Sequence, residues 1–316
     1  MRRTALLVAT VLAALPADAQ ETTLRVMSFN VWGAGANEGK PIDDTLVERI
    51  RAAGADVVGL QETRVETDPC LPESCPPSGE SVAPALAEGL GWHLHEQTAE
   101  NGALWSNAVI SRFPITGTSA NDLGVSLDVG GKVVWLFNIH HDDEPYQPYQ
   151  AVGIEYGPAP FTSDPAELVR WASQTRGPAM DLLMSDMAEA EGAAAVFVTG
   201  DFNEPGHLDW TEAALAAGQQ PVAVVWPTTA RLAEEGFVDA YRAIHPDPLA
   251  KPAYTWTPMW TTEDDPEDKH DRIDFVFVKG GSVTGAWIVG EEGPRSDIVS
   301  APWPSDHRAV VAEVRF

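Results

Sequence analysis

Basic residues are scarce in this 316-residue chain: 20 Lys and Arg stand against 47 Asp and Glu, a formal charge of −27 with a sequence pI near 4.4. Such a surface repels polyanions at long range. That disfavours binding nucleic acid through a broad basic face, leaving open a local positive groove or a phosphate met through a bridging metal. Cysteine is nearly absent. The two present, Cys70 and Cys75, have too few further ligands nearby for zinc. Their closeness within the proline-rich segment 69–77 reads as a small-loop disulfide in an oxidising compartment, with a pair of free thiols as the alternative. Long apolar runs are missing beyond the N-terminus, so no later stretch reads as a membrane span. No repeat or low-complexity linker divides the chain.

The N-terminus itself is distinctive. Arg2 and Arg3 precede an apolar run from Ala5 to Leu15, and Ala17-Asp18-Ala19 supplies a small-x-small cleavage site before Gln20. This is a signal-peptide pattern, too short to stay in a bilayer. It predicts residues 1–19 as a leader, a single mature domain over 20–316, and export to the periplasm or medium.

The rest is organised around Val196-Phe197-Val198-Thr199-Gly200-Asp201-Phe202-Asn203, an apolar β-branched run that ends in glycine and then offers a carboxylate and an amide. It reads as a buried strand with chemistry at its tip. Period-two geometry predicts Asp201 and Asn203 on one side and Phe202 inward, with Gly200 letting the backbone turn. A strand ending in an Asx-type turn would look the same, so the octet needs support from elsewhere.

That support recurs along the chain. A strand from Leu24 to Val31 places Asn30 near its end, an amphipathic helix follows over 43–53, and a strand from Asp56 ends at Glu62. Hard divalent cations such as Mg²⁺ take oxygen ligands of this kind, although each residue alone is an ordinary strand-end polar group. A short helix around 85–90 leads to a strand at Trp92–Glu96, where His93 and His95 read as surface polar residues because no third ligand is near. Strands over 103–113 and 132–140 follow, the second ending at Asn138 and His140, with Asp142, Asp143 and Glu144 next, a field that favours a protonated imidazole. Residues 143–175 form a long connection rich in proline, tyrosine and acid, of the kind used as a binding loop or lid, and helix is predicted over 165–191. Beyond the central strand come a helix over 208–217, a helical turn at 237–242, an aromatic loop at 254–258, an acidic solvated loop at 263–268, and a strand over 272–278 with Asp274 near its start. Ser305-Asp306-His307-Arg308 runs into a last strand, 309–316.

Taken in order, Phe29-Asn30, Gln61-Glu62, Ser111-Arg112-Phe113-Pro114-Ile115, Asn138-Ile139-His140, Gly200-Asp201-Phe202-Asn203, Arg272-Ile273-Asp274 and Ser305-Asp306-His307 resemble the endonuclease/exonuclease/phosphatase superfamily, the deoxyribonuclease-I-like phosphoesterases. Each motif is weak alone; the ordered set, covering nearly the whole mature chain, is strong. The resemblance implies an α/β fold, a four-layer α/β/β/α sandwich of two mixed sheets packed face to face with helices outside. It also implies a metal site at Glu62 with Asn30, with Asp306 beside a second metal position, and Mg²⁺ as the cofactor with Mn²⁺ as a substitute. Asn203 would hold the scissile phosphate, His307 oriented by Asp274 would flank it with His140, and Asp201 would accept a proton or position water. Glu96 is the carboxylate expected to orient His140. The implied activity is metal-assisted in-line hydrolysis of a phosphodiester, or of a phosphomonoester, in a small organic ester, a phospholipid headgroup or nucleic acid. A secreted deoxyribonuclease-like endonuclease is the alternative, and an inactive binding module on the same scaffold is the alternative of another class. Trp256, Trp260 and Trp303 are candidates for a pocket wall or for lipid-surface contact, against a plain role in the core. The expected state is a monomer.

Overall fold

The computed structural model describes residues 21–33, 45–64, 79–259 and 268–316. The leader, the cysteine pair and Trp260 lie outside these residues, as does most of the 263–268 acidic run.

Strands β1 (Thr23–Asn30), β2 (Val57–Gln61), β3 (His93–Gln97) and β4 (Asn107–Ser111) belong to one sheet, completed by β11 (Ser282–Gly290), β12 (Ile298–Val299) and β13 (Ala309–Arg315) in the order β12-β11-β13-β1-β2-β4-β3. The second sheet holds β5 (Ile115–Thr118), β6 (Gly124–Val129), β7 (Lys132–His140), β8 (Ala195–Asp201), β9 (Val238–Asp239) and β10 (Asp274–Lys279), ordered β5-β6-β7-β8-β10-β9. Each sheet is mixed: β1 runs parallel to β2 and β7 to β8, while β13 and β10 flank them antiparallel. Helices α1 (Thr45–Ala53) and α2 (Ala83–Leu90) cover the outer face of the first sheet. Helices α4 (Pro165–Met187) and α6 (Pro227–Glu234) cover the second. The layers are those the resemblance implied.

Alternation along the strands explains the layering. In β1, Leu24 and Val26 enter the core between the sheets, whereas Met27 and Phe29 pack outward against Leu46 and Ile50 of α1. In β8, Ala195 and Phe197 face the same inter-sheet core, and Val196 and Val198 meet Met180 and Leu183 of α4. Toward the strand ends the inward positions change character: Ser28 and Asn30 continue the register of Val26, Asn138 and His140 that of Leu136, and Thr199 and Asp201 that of Phe197. The space between the sheets therefore turns from apolar to polar at one end, which becomes the site.

A buried polar layer joins the sheets just beneath it. The Asn138 carboxamide donates to Leu60 O (2.9 Å) and to Gln97 Oε1 (2.8 Å), and its oxygen accepts from Gln61 Nε2 (2.7 Å) and from the Thr199 hydroxyl (3.1 Å). Gly59 sits opposite: a Cβ there would lie 2.1 Å from Thr199 Oγ1 and 2.4 Å from Asn138 Oδ1, so the sheets approach this closely only over glycine.

Several sequence expectations shift. Gly200 makes no turn; it lies inside β8, donates its N–H to Ser28 Oγ (2.9 Å), and a Cβ would strike Ile139 O at 2.4 Å. The strand predicted over 103–113 is only β4, because Ser106 adopts φ +56° and 103–106 is a loop. The connection after His140 is interrupted by α3 (Gln147–Val152) and ends at Asp164, whose carboxylate accepts from Ala166 N as the N-cap of α4. The helix expected over 208–217 contracts to α5 (Glu212–Ala216), and the turn at 237–242 divides into β9 and α7 (Ala240–Ile244). No helix among the described residues is long and apolar enough to cross a membrane.

Candidate active site

Pairing register lines up one side of the site. His140 is opposite Asp201 in the β7/β8 ladder, and Asp274 is opposite Asp201 in the β8/β10 ladder, so three titratable side chains form a row across the second sheet. The first sheet contributes Asn30 from the tip of β1 and Glu62 from just past β2. Glu62 and Asn203 both follow strand ends at positive φ (+51° and +46°), a conformation costly for non-glycine residues that recurs at functional sites.

Asp201 is the hub. Its Oδ2 accepts from Asn30 Nδ2 (3.1 Å) and lies 3.5 Å from His307 Nε2 and 3.7 Å from His140 Nε2; its Oδ1 accepts from Asn203 N (2.9 Å). Asn30 Nδ2 also donates to Glu62 Oε1 (2.7 Å), which is 3.9 Å from His140 Nε2. His307 Nδ1 is 2.9 Å from Asp274 Oδ2, and Asp274 N and Ile273 N both donate to Thr255 Oγ1. Asn203 Nδ2 donates to His141 O (2.8 Å), while Phe202 turns inward against Phe275 and Phe277. His140, Asp201, Asn203, Asp274 and His307 thus converge with Asn30, Glu62 and Asp306.

Glu96 does not join them. Its carboxylate lies 3.6 Å from Arg64, and His140 Nδ1 instead faces Trp105 O at 3.5 Å. The cause is register: Glu96 pairs opposite Ala108 on the far edge of the first sheet. His95 on that edge is held by Asp122 at 2.6 Å, and His93 is exposed.

Charge at the site is poorly balanced. Burial raises the Glu62 carboxyl to about 7, and Asp306 adds to the rise against the opposing pull of His140 and His307. Burial likewise lifts Asp274 to about 6 and pushes Asp306 upward. His307 moves well above an ordinary imidazole, since Asp274, Asp201 and Asp306 together outweigh the burial that opposes its charge. Asp306 Oδ1 is buried without a hydrogen-bond partner. Oxygen donors crowded together, penalised for ionising and with one lone carboxylate oxygen, fit a hard divalent cation. Among the described residues, the ligand atoms of Glu62, His140 and Asp201 lie within 4.8 Å of one another, as do those of Asp201, Asp274 and His307. Asp201 is common to both groups.

Residues 27–307 match the Endonuclease/Exonuclease/phosphatase family. The chain belongs to that family. It is a hydrolase of phosphoric ester bonds, in a family that depends on divalent metal. An uncharacterized protein of Caenorhabditis elegans, F14F9.5, is 28% identical over 312 residues, 93% of this chain and 91% of that one. Among solved structures, an endonuclease/exonuclease/phosphatase from Beutenbergia cavernae shares the fold at a TM-score of 0.55 and 20% identity, over 93% of this chain and 72% of that one. An AP endonuclease from Archaeoglobus fulgidus does so at 0.51 and 16%, over 92% and 98%. The TDP2 of D. rerio, solved with a single-strand DNA product, aligns at 0.50 and 14% over 93% and 99%.

Contacts that support this family site involve residues named in the sequence without these roles. Ser305 Oγ donates to Asn30 O (2.7 Å) and accepts from His307 N (3.0 Å), fastening the His307 turn to the end of β1. Trp303 stacks on Phe29 at 5.1 Å and donates to His307 O, and Trp256 pairs through its backbone with both Asp271 and His307. Ser305 had a signal, two residues before a histidine; Thr255 had none.

Proposed function

We propose that this protein is an exported, Mg²⁺-dependent phosphodiesterase of small organic phosphodiesters or phospholipid headgroups. The observation that carries this is the position of Asp201, bonded to Asn30 and Asn203 and flanked by two histidines. In-line hydrolysis requires water activated on one side of phosphorus and stabilisation of charge on its oxygens. Asp201 is the group that orients the water and takes its proton. His307, held as an imidazolium by its three carboxylates, donates to a phosphoryl oxygen instead of acting as the base. Asn203 offers its carboxamide to the phosphate from a turn pinned at both ends, and His140 closes the opposite flank. Glu62, Asn30 and Asp306 would hold a divalent cation, which would supply charge neutralisation during hydrolysis.

The surroundings favour a small ester over a polyanion. Asp142, Asp143 and Glu144 follow His140 and His141, and Asp268 accepts from the Tyr149 hydroxyl at 2.6 Å. Half-buried Tyr149, Tyr156 and Trp256 pack edge to face, giving an aromatic wall beside His307 with an acidic rim. A nucleic-acid substrate is the second reading, supported by relatives described as an AP endonuclease and as bound to DNA.

Purified mature protein tested on bis-p-nitrophenyl phosphate, p-nitrophenyl phosphate, supercoiled plasmid and sphingomyelin, with Mg²⁺ or EDTA, separates the readings. Turnover of the diester and lipid that vanishes in EDTA and in Asp201→Ala is the expected result. Plasmid nicking that the variant abolishes would make the protein a nuclease despite its charge. Silence on all four would leave a binding module.

A further inference from the structure

Directly behind the site lies a buried ion pair that the chemistry above does not use. Glu204 follows Asn203, is fully buried, and accepts from both Thr228 N (2.8 Å) and Thr228 Oγ1 (2.6 Å) at the start of α6. Its second oxygen has no hydrogen-bond partner and stands 3.9 Å from Arg176 Nη1. Arg176, on α4 and equally buried, donates to Gln147 Oε1 and reaches Pro145 O at 3.5 Å. Gln147 Nε2 donates to the same Pro145 carbonyl at 2.7 Å.

Stability does not explain this pair. Burial pushes the Arg176 guanidinium down and the Glu204 carboxyl up, each against its charge, and their separation exceeds hydrogen-bond length. Replacing such a pair with neutral groups is often harmless or favourable. Its connections are more telling. Arg176 touches both the segment leaving β7 after His140 and His141, through Pro145 and Gln147, and the segment leaving β8 after Asn203, through Glu204. Asn203 itself bridges the same two segments, donating to His141 O from a backbone at φ +46°. The neighbouring His141 ring, driven down to about 3 chiefly by burial and then by Arg176, stays neutral and packs against Phe202. A strained residue persists only where its surroundings over-determine it.

We propose that Arg176 and Glu204 are positioning residues that hold the two strand exits in register and so aim the Asn203 carboxamide at the phosphate. The inference rests on the phosphate role given to Asn203 above. The test is a cycle between Asn203→Ala and the pair Arg176→Met with Glu204→Gln, which keeps the acceptor for Thr228 and leaves no lone buried charge. With bis-p-nitrophenyl phosphate the paired variant should lose roughly 10- to 100-fold in kcat at unchanged KM, with a melting temperature equal to or above that of the parent. Combined with Asn203→Ala, which alone should cost about 10²-fold, it should add little further loss, because both act through one group. Arg176→Lys, which keeps the charge but loses the planar fork, should give a smaller kcat loss with the same non-additivity, and serves if the paired variant folds poorly. A paired variant at the parental kcat, or losses that multiply in full with Asn203→Ala, overturns the proposal while leaving the phosphate role of Asn203 intact. Asn203→Ala at the parental rate removes that role, and this inference falls with it.

Discussion

Two buried clusters of charge sit two residues apart on the approach to β10, and they are built in opposite ways. Around Arg272, Asp209 and Asp239 meet a guanidinium at 2.9 and 2.7 Å, and Arg242 adds a second cation 2.7 Å from Asp209. Burial opposes charge there too, but pairing wins at Asp239, which lies below its usual range, and at Arg272, which lies above, while burial and the neighbouring Arg272 hold Arg242 down. Around Asp274 the carboxylates outnumber the cations, and Glu62, Asp274 and Asp306 are all displaced upward. The first cluster is neutralised from within the chain. The second is left with carboxylates in excess, an arrangement that fits a divalent cation from outside, as in a family that depends on divalent metal.

The contrast breaks most sharply on activity. Glu62→Gln and His307→Ala should each lower kcat for bis-p-nitrophenyl phosphate by about 10³-fold, roughly 4 kcal/mol of transition-state stabilisation, while chemical denaturation shows the fold intact. The metal-free Glu62→Gln protein should be at least as stable as its parent, because the substitution removes a penalised charge. A variant of full activity, or one that loses stability without metal, would erase the distinction. Arg272→Leu makes the reverse case. It strands Asp209 and Asp239 in the interior and should cost about 3–5 kcal/mol in a urea melt. A cost within about 0.5 kcal/mol would mean that Arg242 alone suffices, and that this cluster is no better balanced than the site.

Alternation made the layers and the site legible together: the inward positions of β1, β7 and β8 change from aliphatic to Asn, His and Asp as the strands approach one edge. Order along the chain then tied those residues to His307 and Asp274. What period two cannot reach stayed hidden. Strands β9 and β12 have two residues each, too few to alternate, and β11 carries a bulge between Val283 and Gly285 that breaks its pattern. The partners of Arg272 lie 63 and 33 positions away in sequence, so no local spacing distinguishes Arg272 from a surface arginine. Glu96 illustrates the converse error, since nearness in sequence to the next strand suggested a contact that pairing register carries to the other edge.

The pH dependence of stability tests the comparison most directly, because it needs no substitution. Glu62 and Asp274 have folded values of about 7 and about 6, above the 4.5 and 3.8 of unfolded carboxyls, so the native state binds more protons than the unfolded chain between those limits. Their contribution is fully present below about pH 4 and is lost as pH rises through 6 and 7. His307, also raised, has the same sign. Asp239 is lowered, so its contribution is lost only as pH falls below the ordinary carboxyl range, outside this window. Metal-free protein should therefore lose stability steadily between pH 5 and pH 8, and Glu62→Gln should flatten the slope. Added Mg²⁺ should stabilise most at the upper end, where its ligands are ionised. Thermal melts in EDTA and in Mg²⁺ across that range measure both terms; a metal-free stability that rises with pH would place the protons elsewhere and leave the site as self-sufficient as the Arg272 cluster.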